Sequence, residues 1–411
     1  MADNSQNPKA GRSLAPRSVV IVALVTAICL LGDSALYVLL PSQLELFSVT
    51  PTGAGLILGI NRYIRILSNH WASKVYERLG FYRPFAFSVL LAALTTSAYG
   101  LFVGFWALFL AHAAWGIAWS ILRLGGYLAV IDAAQGQSTG RFMGMLQSLS
   151  RGGSLCAVLA GGILADHIGG RQVFLIYGVI TLTAFGLIPF ASVRGNLGVP
   201  EVKSRSENST KDEIRSPGRI RVLYFEASIV WLVVAGIFVA TAGYFVRTIA
   251  GDGTMVLGFV IGIGTLSGML VAIRWLGDLC LGPVFGHLSD RLGKEAVIVT
   301  SLGIAAISMI GVALWPTLAV AIPAFTFVFF ASTALIVSLN ASIADLAPAS
   351  RRTSILSRYA TWADIGSGTG PIIALPMVAT LGFNWTYGAG AAATLIALGI
   401  YLVVFMRKEN T

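Results

Sequence analysis

Charge is what this 411-residue chain has least of. Only 11% of its residues are Asp, Glu, Lys or Arg, while 56% are apolar; soluble domains carry about 25% charged residues. With a mean hydropathy of +0.80, the shortage excludes a soluble globule, a disordered chain and a coiled coil. It also argues against an outer-membrane barrel, whose strands alternate apolar and polar. Cysteine is scarce too. Cys29, Cys156 and Cys280 fall inside apolar runs with no CxxC spacing, which speaks for packing and against a disulfide framework. The four histidines, His70, His112, His167 and His287, show no ligand spacing, so neither a resident metal nor another cofactor is expected. A Walker A sequence is missing, which excludes P-loop ATP hydrolysis. No Ser/His/Asp or His/Glu cluster stands at a usable spacing, so no enzyme is expected.

What is abundant is long apolar runs. A membrane-spanning helix needs about 20 such residues. Windows of that length predict twelve spans: 18–40, 53–73, 84–104, 106–131, 142–165, 172–193, 227–250, 262–285, 296–315, 317–341, 355–379 and 384–406. Residues 1–17 form a polar, basic tail, and the run behind it is too long for a signal-peptide core, so an uncleaved first helix is expected. One connection is long and polar, 194–226, and it separates a first bundle (18–193) from a second (227–406), with a short tail at 407–411. The fold class expected is an all-α membrane protein of two six-helix bundles. The net charge of +10 suggests nucleic acid only in a soluble protein. Here it gathers in alternate connections: with the N-terminus inside, twenty Lys and Arg lie in cytoplasmic segments and Arg171 alone in external ones. That asymmetry predicts both termini in the cytoplasm. The compact loops suit a bacterial inner membrane. The sequon at Asn208 falls on the linker and is read as chance.

The halves superpose with a shift of about 213 residues, parallel six-helix repeats being a known transporter plan. The segment from Ser73 (SKVYERLGFYR) lies over that from Gly286 (GHLSDRLGKEA), matching Glu77 with Asp290, Arg78 with Arg291 and Gly80 with Gly293. The same shift pairs Asp132 with Asp345 and Gly169 with Gly382. The run Gly286-His-Leu-Ser-Asp290-Arg291-Leu-Gly293-Lys294 resembles the G-x-x-x-D-R-x-G-K loop of the major facilitator superfamily. In the first copy Ser73, Glu77 and Phe81 replace the first Gly, the Asp and the terminal base. The resemblance implies alternating access, with the loop latching the cytoplasmic side in the outward-facing state. The gating residues it implies are Glu77, Arg78, Gly80, Gly286, Asp290, Arg291, Gly293 and Lys294. Physically, Gly286 permits close helix approach and Gly293 a tight turn. Asp290 suits a base or a neighbouring helix N-terminus.

Ionised residues at mid-bilayer cost at least about 2.5–3.5 kcal/mol and must face protein or water. Ten fall inside the windows: Asp33, Arg62, Arg65, Arg123, Arg151, Arg247, Arg274, Asp278, Arg358 and Asp364. Spans 3, 6, 9 and 12, which in the superfamily are peripheral, carry none. Seven Arg against three Asp leave the interior positive, which favours an anionic or amphipathic organic cargo. Asn61, Arg62, Arg65, Arg151, Arg247, Arg274 and Asp278 are the expected cargo-binding residues, with Arg274 and Asp278 spaced to pair along one helix. Arg358 and Arg123 are the two most open to snorkelling.

Asp33, in GDSALYVLLP ending at Pro41, resembles the first-helix Asp…Pro signature of the superfamily's drug/proton antiporters. A carboxyl there could load and release a proton as access alternates. Asp364 follows the same logic, or neutralises Arg358. Two departures weaken that subfamily reading. Span 5 reads RGGSLCAVLAGG without the antiporter proline, GSGTGP standing instead at 366–371 in span 11. His112 stands where an Arg is common, and is read first as a packing residue. The expectation is a monomeric, proton-coupled secondary transporter of a small molecule, embedded in lipid, with export slightly favoured and no nucleic acid as partner. Alternatives are an uptake permease for a carboxylate-rich metabolite or siderophore, and a non-transporting receptor or scaffold on the same fold.

Overall fold

A computed structural model describes residues 17–134, 139–191, 193, 216–251, 253–256, 259–348 and 351–405. The tail before Arg17, most of the linker (194–215, with Asn208) and the tail from 406 lie outside the described residues.

Helix α1 is Arg17–Ser42, α2 Pro51–Leu79, α3 Tyr82–Leu101, α4 Phe105–Ala134 and α5 Thr139–Ile168. Helix α6 is Gly170–Thr183, prolonged by a 3-10 segment, Ala184–Phe190. Helix α7 is Pro217–Ala250, wound as a π-helix over Leu232–Val239. Helix α8 is Ile263–Cys280 and resumes as Gly282–Leu292 beyond a break at Leu281. Pro283, in the first turn of the resumed part, has no N–H to continue the ladder, which accounts for the break. Helices α9 and α10 are Lys294–Leu314 and Leu318–Leu346. The final stretch, Arg352–Phe405, is divided at Gly382 into α11 (352–381) and α12 (383–405). Local chemistry sets the ends. At α2, for example, the Thr50 hydroxyl accepts from the Gly53 N–H at 3.1 Å and Pro51 opens the first turn, a standard start.

Ten helical stretches are long and apolar enough to cross a membrane among the described residues. One of them holds both α11 and α12, and α2 falls short only because Asn61, Arg62, Arg65 and its polar last turns dilute it. Twelve rods result. Together with outward-facing Leu110, Val179, Ile307, Phe327 and Ile396, they describe a multi-pass integral membrane protein. The main departure from the expected spans is α7, which begins at Pro217 and not at 227. Its first turns carry Arg219, Arg221 and Glu226, so hydropathy does not report them although the helix continues through them. A short antiparallel hairpin, β1 (Gly253–Val256) and β2 (Phe259–Gly262), joins α7 to α8 and was not expected.

The repeat is visible in the backbone. Shifted by about 213 residues, α3, α4, α5 and α6 fall on α9, α10, α11 and α12 within a residue or two at nearly every end. The paired turn glycines share the left-handed conformation, with φ of 71° at Gly80 and 88° at Gly293, and 90° at Gly169 and 85° at Gly382. That region disfavours any side chain with a Cβ, so these identities follow from the turns. Successive rods alternate direction, giving one end that holds Arg17 and another that holds Ser42.

Candidate functional site

The halves meet through glycines in the Ser42-ward part of the bundle. Between α2 and α11, a Cβ on Gly59 would stand 2.5 Å from the Gly368 carbonyl, and the Tyr63 and Thr369 hydroxyls bond at 2.6 Å. Between α5 and α8, Gly162 and Gly264 leave no room for side chains on either backbone. One turn on, Asp166 of α5 accepts from the Gly264 and Thr265 N–H groups, both at 2.8 Å, and from the Thr265 hydroxyl at 2.6 Å. This carboxylate caps a helix of the opposite half, a favourable place for negative charge. Between α1 and α7, a Cβ on Gly243 would lie 2.7 Å from the Val38 carbonyl. The glycine runs of spans 5 and 11 are thus close-packing devices.

This seal gives a test. Gly162→Leu is expected to wedge the Ser42 end apart. A cysteine placed at buried Ala165, in a chain whose three native cysteines are replaced, should then react with a water-soluble maleimide at least several-fold faster than in the parent. Equal rates would show that the contact does not close this end.

Charged side chains collect where the seal ends, midway along the rods. In the N-terminal half, Asp33 of α1 accepts from the Asn61 amide at 3.2 Å and has His112 Nε2 at 3.9 Å. His112 is fully buried and its Nδ1 bonds the Tyr99 hydroxyl at 2.9 Å, so the imidazole packs and also orients toward the carboxylate. Arg62 lies beside the Tyr37 hydroxyl, which donates to the Leu58 carbonyl at 3.0 Å. Arg65, 5% exposed, reaches across to Asp364 of α11 at 3.1 Å. Arg123 lies within electrostatic reach of Arg65.

In the C-terminal half, Arg274 of α8 is 4% exposed and stands over two indoles, Trp231 at 5.2 Å and Trp275 at 4.9 Å from the ring centres. Arg151, from α5 of the other half, approaches Trp275 at 4.9 Å. Arg62 and Arg151 are both within electrostatic reach of Arg274. Asp278 accepts from the Thr333 hydroxyl of α10 at 2.9 Å.

The structure therefore brings Asp33, Asn61, Arg62, Arg65, Arg151, Arg274, Asp278 and Asp364 to one level, and it corrects three details. Arg247 is exposed in the last turn of α7 at the Ser42 end; three residues from a helix end a long side chain reaches water, so it does not join the cluster. Arg358, one of the two arginines open to snorkelling, is exposed toward the Arg17 end. Asp364 accordingly neutralises Arg65 of the opposite half and not Arg358. Arg274 and Asp278 attract each other electrostatically but form no ion pair within bonding distance among the described residues, the carboxylate accepting from Thr333 and the guanidinium lying over the indoles. Trp231 and Trp275 carry no signal in the sequence beyond being aromatics in apolar runs.

The loop between α8 and α9 anchors within its own half: Lys294 pairs with Asp345 at the end of α10. In the first copy, Phe81 at the matching position is buried and stacks on Phe85 at 5.1 Å, an apolar contact in place of the ion pair. Glu77, Arg78, Asp290 and Arg291 are exposed at the Arg17 end, and none forms an ion pair among the described residues.

Glu226 was missed. It is fully buried in α7, and both carboxyl oxygens lack a hydrogen-bond partner, as does the buried Tyr401 hydroxyl of α12. Unsatisfied groups of this kind oppose stability. Glu226→Leu is expected to leave the thermal midpoint of the purified protein unchanged or to raise it by a few degrees. A fall of more than about 5 °C, the size expected from losing a favourable contact of roughly 1–2 kcal/mol, would show that the carboxyl has a supporting role.

A family model described as Major Facilitator Superfamily matches residues 22–278 and 264–411. A multidrug resistance protein, MdtG, from Salmonella typhimurium is 25% identical over 87% of this chain and 87% of its own length. The MdtG of Klebsiella pneumoniae is 25% identical over 90% and 88%. Among solved structures, the nucleoside transporter NupG superposes with a TM-score of 0.76 at 11% identity, covering 96% of this chain and 100% of that one. A bacterial homolog of the lysosomal transporter Spinster, inward-facing and occupied, gives 0.71 at 16% identity, with 95% and 97% covered. At these identities the structures speak to the fold alone.

Proposed function

The chain belongs to the Major Facilitator Superfamily, and from that premise we propose that it is a proton-coupled exporter of organic anions, with the mid-membrane charge cluster as its cargo path. That it is a transporter of small molecules and not an enzyme follows from the family; the cargo, the proton and the direction are our reading. The single observation that carries it is the imbalance at the centre. Arg62, Arg65, Arg151 and Arg274 converge there against Asp33, Asp278 and Asp364, with Arg123 within electrostatic reach of Arg65, and only Arg65 has a carboxylate within bonding distance among the described residues. Buried cations lacking counter-charge are costly, so a cargo that brings negative charge completes the set.

Asp33 is the proton carrier in this reading. Its hydrogen-bond donors, the Asn61 amide and the Trp115 indole, hold the carboxyl, while Arg62 and Arg65 act on it only electrostatically and leave it outside a salt bridge with an arginine among the described residues. The lean toward export rests on the first-helix motif around Asp33, and the multidrug resistance name of the MdtG relatives supports it. With the termini placed inside by the distribution of Lys and Arg, the sealed Ser42 end faces outward, the cluster is reached from the cytoplasm, and the exposed loops at Glu77 and Asp290 are an unfastened latch. The protein works as a monomer in the inner membrane, each chain holding a complete path between its halves.

The test is flux in proteoliposomes, with carboxyfluorescein as the anionic probe and rhodamine 123, built on the same ring system but cationic, as control. A pH gradient should drive carboxyfluorescein several-fold faster than protein-free vesicles allow, and should leave rhodamine 123 near background. Faster movement of rhodamine 123, or no response to the gradient, would contradict the reading.

A further inference from the structure

The cations at the centre are not equivalent. Arg65 is answered by Asp364, and Arg62 lies among Tyr37, Asp33 and Asp364. Arg274 and Arg151 lie over indole faces, and Arg274 has Asp278 within electrostatic reach but no carboxylate within bonding distance among the described residues. Arg274 Nε has no acceptor, as is also true of Arg62 Nε and Arg65 Nε, but here a second enclosed donor, Trp275 Nε1, stands unpartnered beside it. The one carboxylate within a turn, Asp278, accepts from Thr333 at Oδ1 and acts on Arg274 without a direct bond. Donors thus outnumber acceptors in a spot lined by Trp231 and Trp275, whose faces favour cations but leave the edge hydrogens of the guanidinium free.

We propose that Arg274 and Trp275 of α8, together with Arg151 of α5, form the seat for the cargo's oxyanion group, whether carboxylate, sulfonate or phosphate. This rests on the transport reading above and deepens it. A planar guanidinium presents paired donors that match two oxygens of such a group, and the indole N–H supplies a further donor beside it. The seat is shared between the halves, since Arg151 belongs to one and Arg274 and Trp275 to the other. A bound oxyanion offsets the repulsion between the two guanidinium groups across Trp275 and draws the halves together at mid-membrane. Its departure restores that repulsion. Occupancy of the seat therefore biases the rocking of the halves.

The experiment is fluorescence anisotropy of carboxyfluorescein and rhodamine 123 on the purified full-length protein. Carboxyfluorescein should bind and rhodamine 123 should bind more weakly. Arg274→Gln should weaken carboxyfluorescein at least about tenfold, the size of one lost charged hydrogen bond. Arg274→Lys should recover part of that loss, since it keeps the charge without the fork. Trp275→Phe, which keeps a ring and removes only the N–H, should weaken binding several-fold, and so should Arg151→Gln. Thermal unfolding within a few degrees of the parent qualifies each variant as folded. Unchanged carboxyfluorescein affinity in folded Arg274→Gln and Arg151→Gln would overturn the seat; persisting gradient-driven flux in the same proteins would show that the transport reading survives it. Absence of both dye binding and flux in the parent protein would overturn both.

Discussion

Asp364→Ala is expected to cripple the protein, and the loss should be reversed by exchanging the charges. Arg65 is almost fully enclosed, and its ion pair with Asp364 at 3.1 Å joins α2 to α11 across the two halves. Removing one member of a buried pair leaves an uncompensated charge and costs about 3–5 kcal/mol. The stability of a whole domain is only about 5–15 kcal/mol. The single change should therefore lower both the yield of folded protein and its thermal midpoint, and Arg65→Ala should do likewise. Arg65→Asp combined with Asp364→Arg restores opposite charge in the same place and should regain a large share of the midpoint and of the transport rate. A double swap no better than either single change would mean that the pair is not the link between α2 and α11.

The second large effect concerns Asp33. Asp33→Asn keeps the size and the Asn61 contact but cannot carry a proton. In proteoliposomes, transport driven by a pH gradient should fall by at least about tenfold, equivalent to about 1.4 kcal/mol in the barrier. Exchange of carboxyfluorescein across the membrane at equal pH should survive, because the cations that bind it are untouched. Gradient-driven transport equally fast in Asp33→Asn would remove Asp33 as the coupling group. Loss of both activities would instead make it part of the cargo seat.

Much of this arrangement is legible in the residues. Hydropathy locates twelve rods because bilayer thickness sets a minimum apolar length. The shift of about 213 residues reappears in the backbone at Gly80, Gly293, Gly169 and Gly382, where turn geometry selects glycine. Misplaced charge locates the level of the centre. The pairings are less legible. Arg65 and Asp364 are 299 positions apart, and their meeting depends on how the halves dock, to which spacing along one helix is blind. The same blindness suggested an Arg274–Asp278 pair that packing against Trp231, Trp275 and Thr333 replaces. Arg247 illustrates another limit: a window average does not register how close a residue lies to a helix end. Glu226 was hidden because the polar first turns of α7 look like linker until the helix is seen to run through them.

Rocking of the halves about the charge cluster, as proposed, is read out by paired spin-label distances. Leu79 and Leu292 are repeat-related, exposed positions at the Arg17 end, and Leu101 and Leu314 are their counterparts at the Ser42 end. Labels at each pair should show two distance populations, with pH and carboxyfluorescein shifting weight between them in opposite senses at the two ends. The short distance should belong to the Ser42 pair in the state described here. Distances that respond at neither end, or that lengthen together at both, would contradict the account.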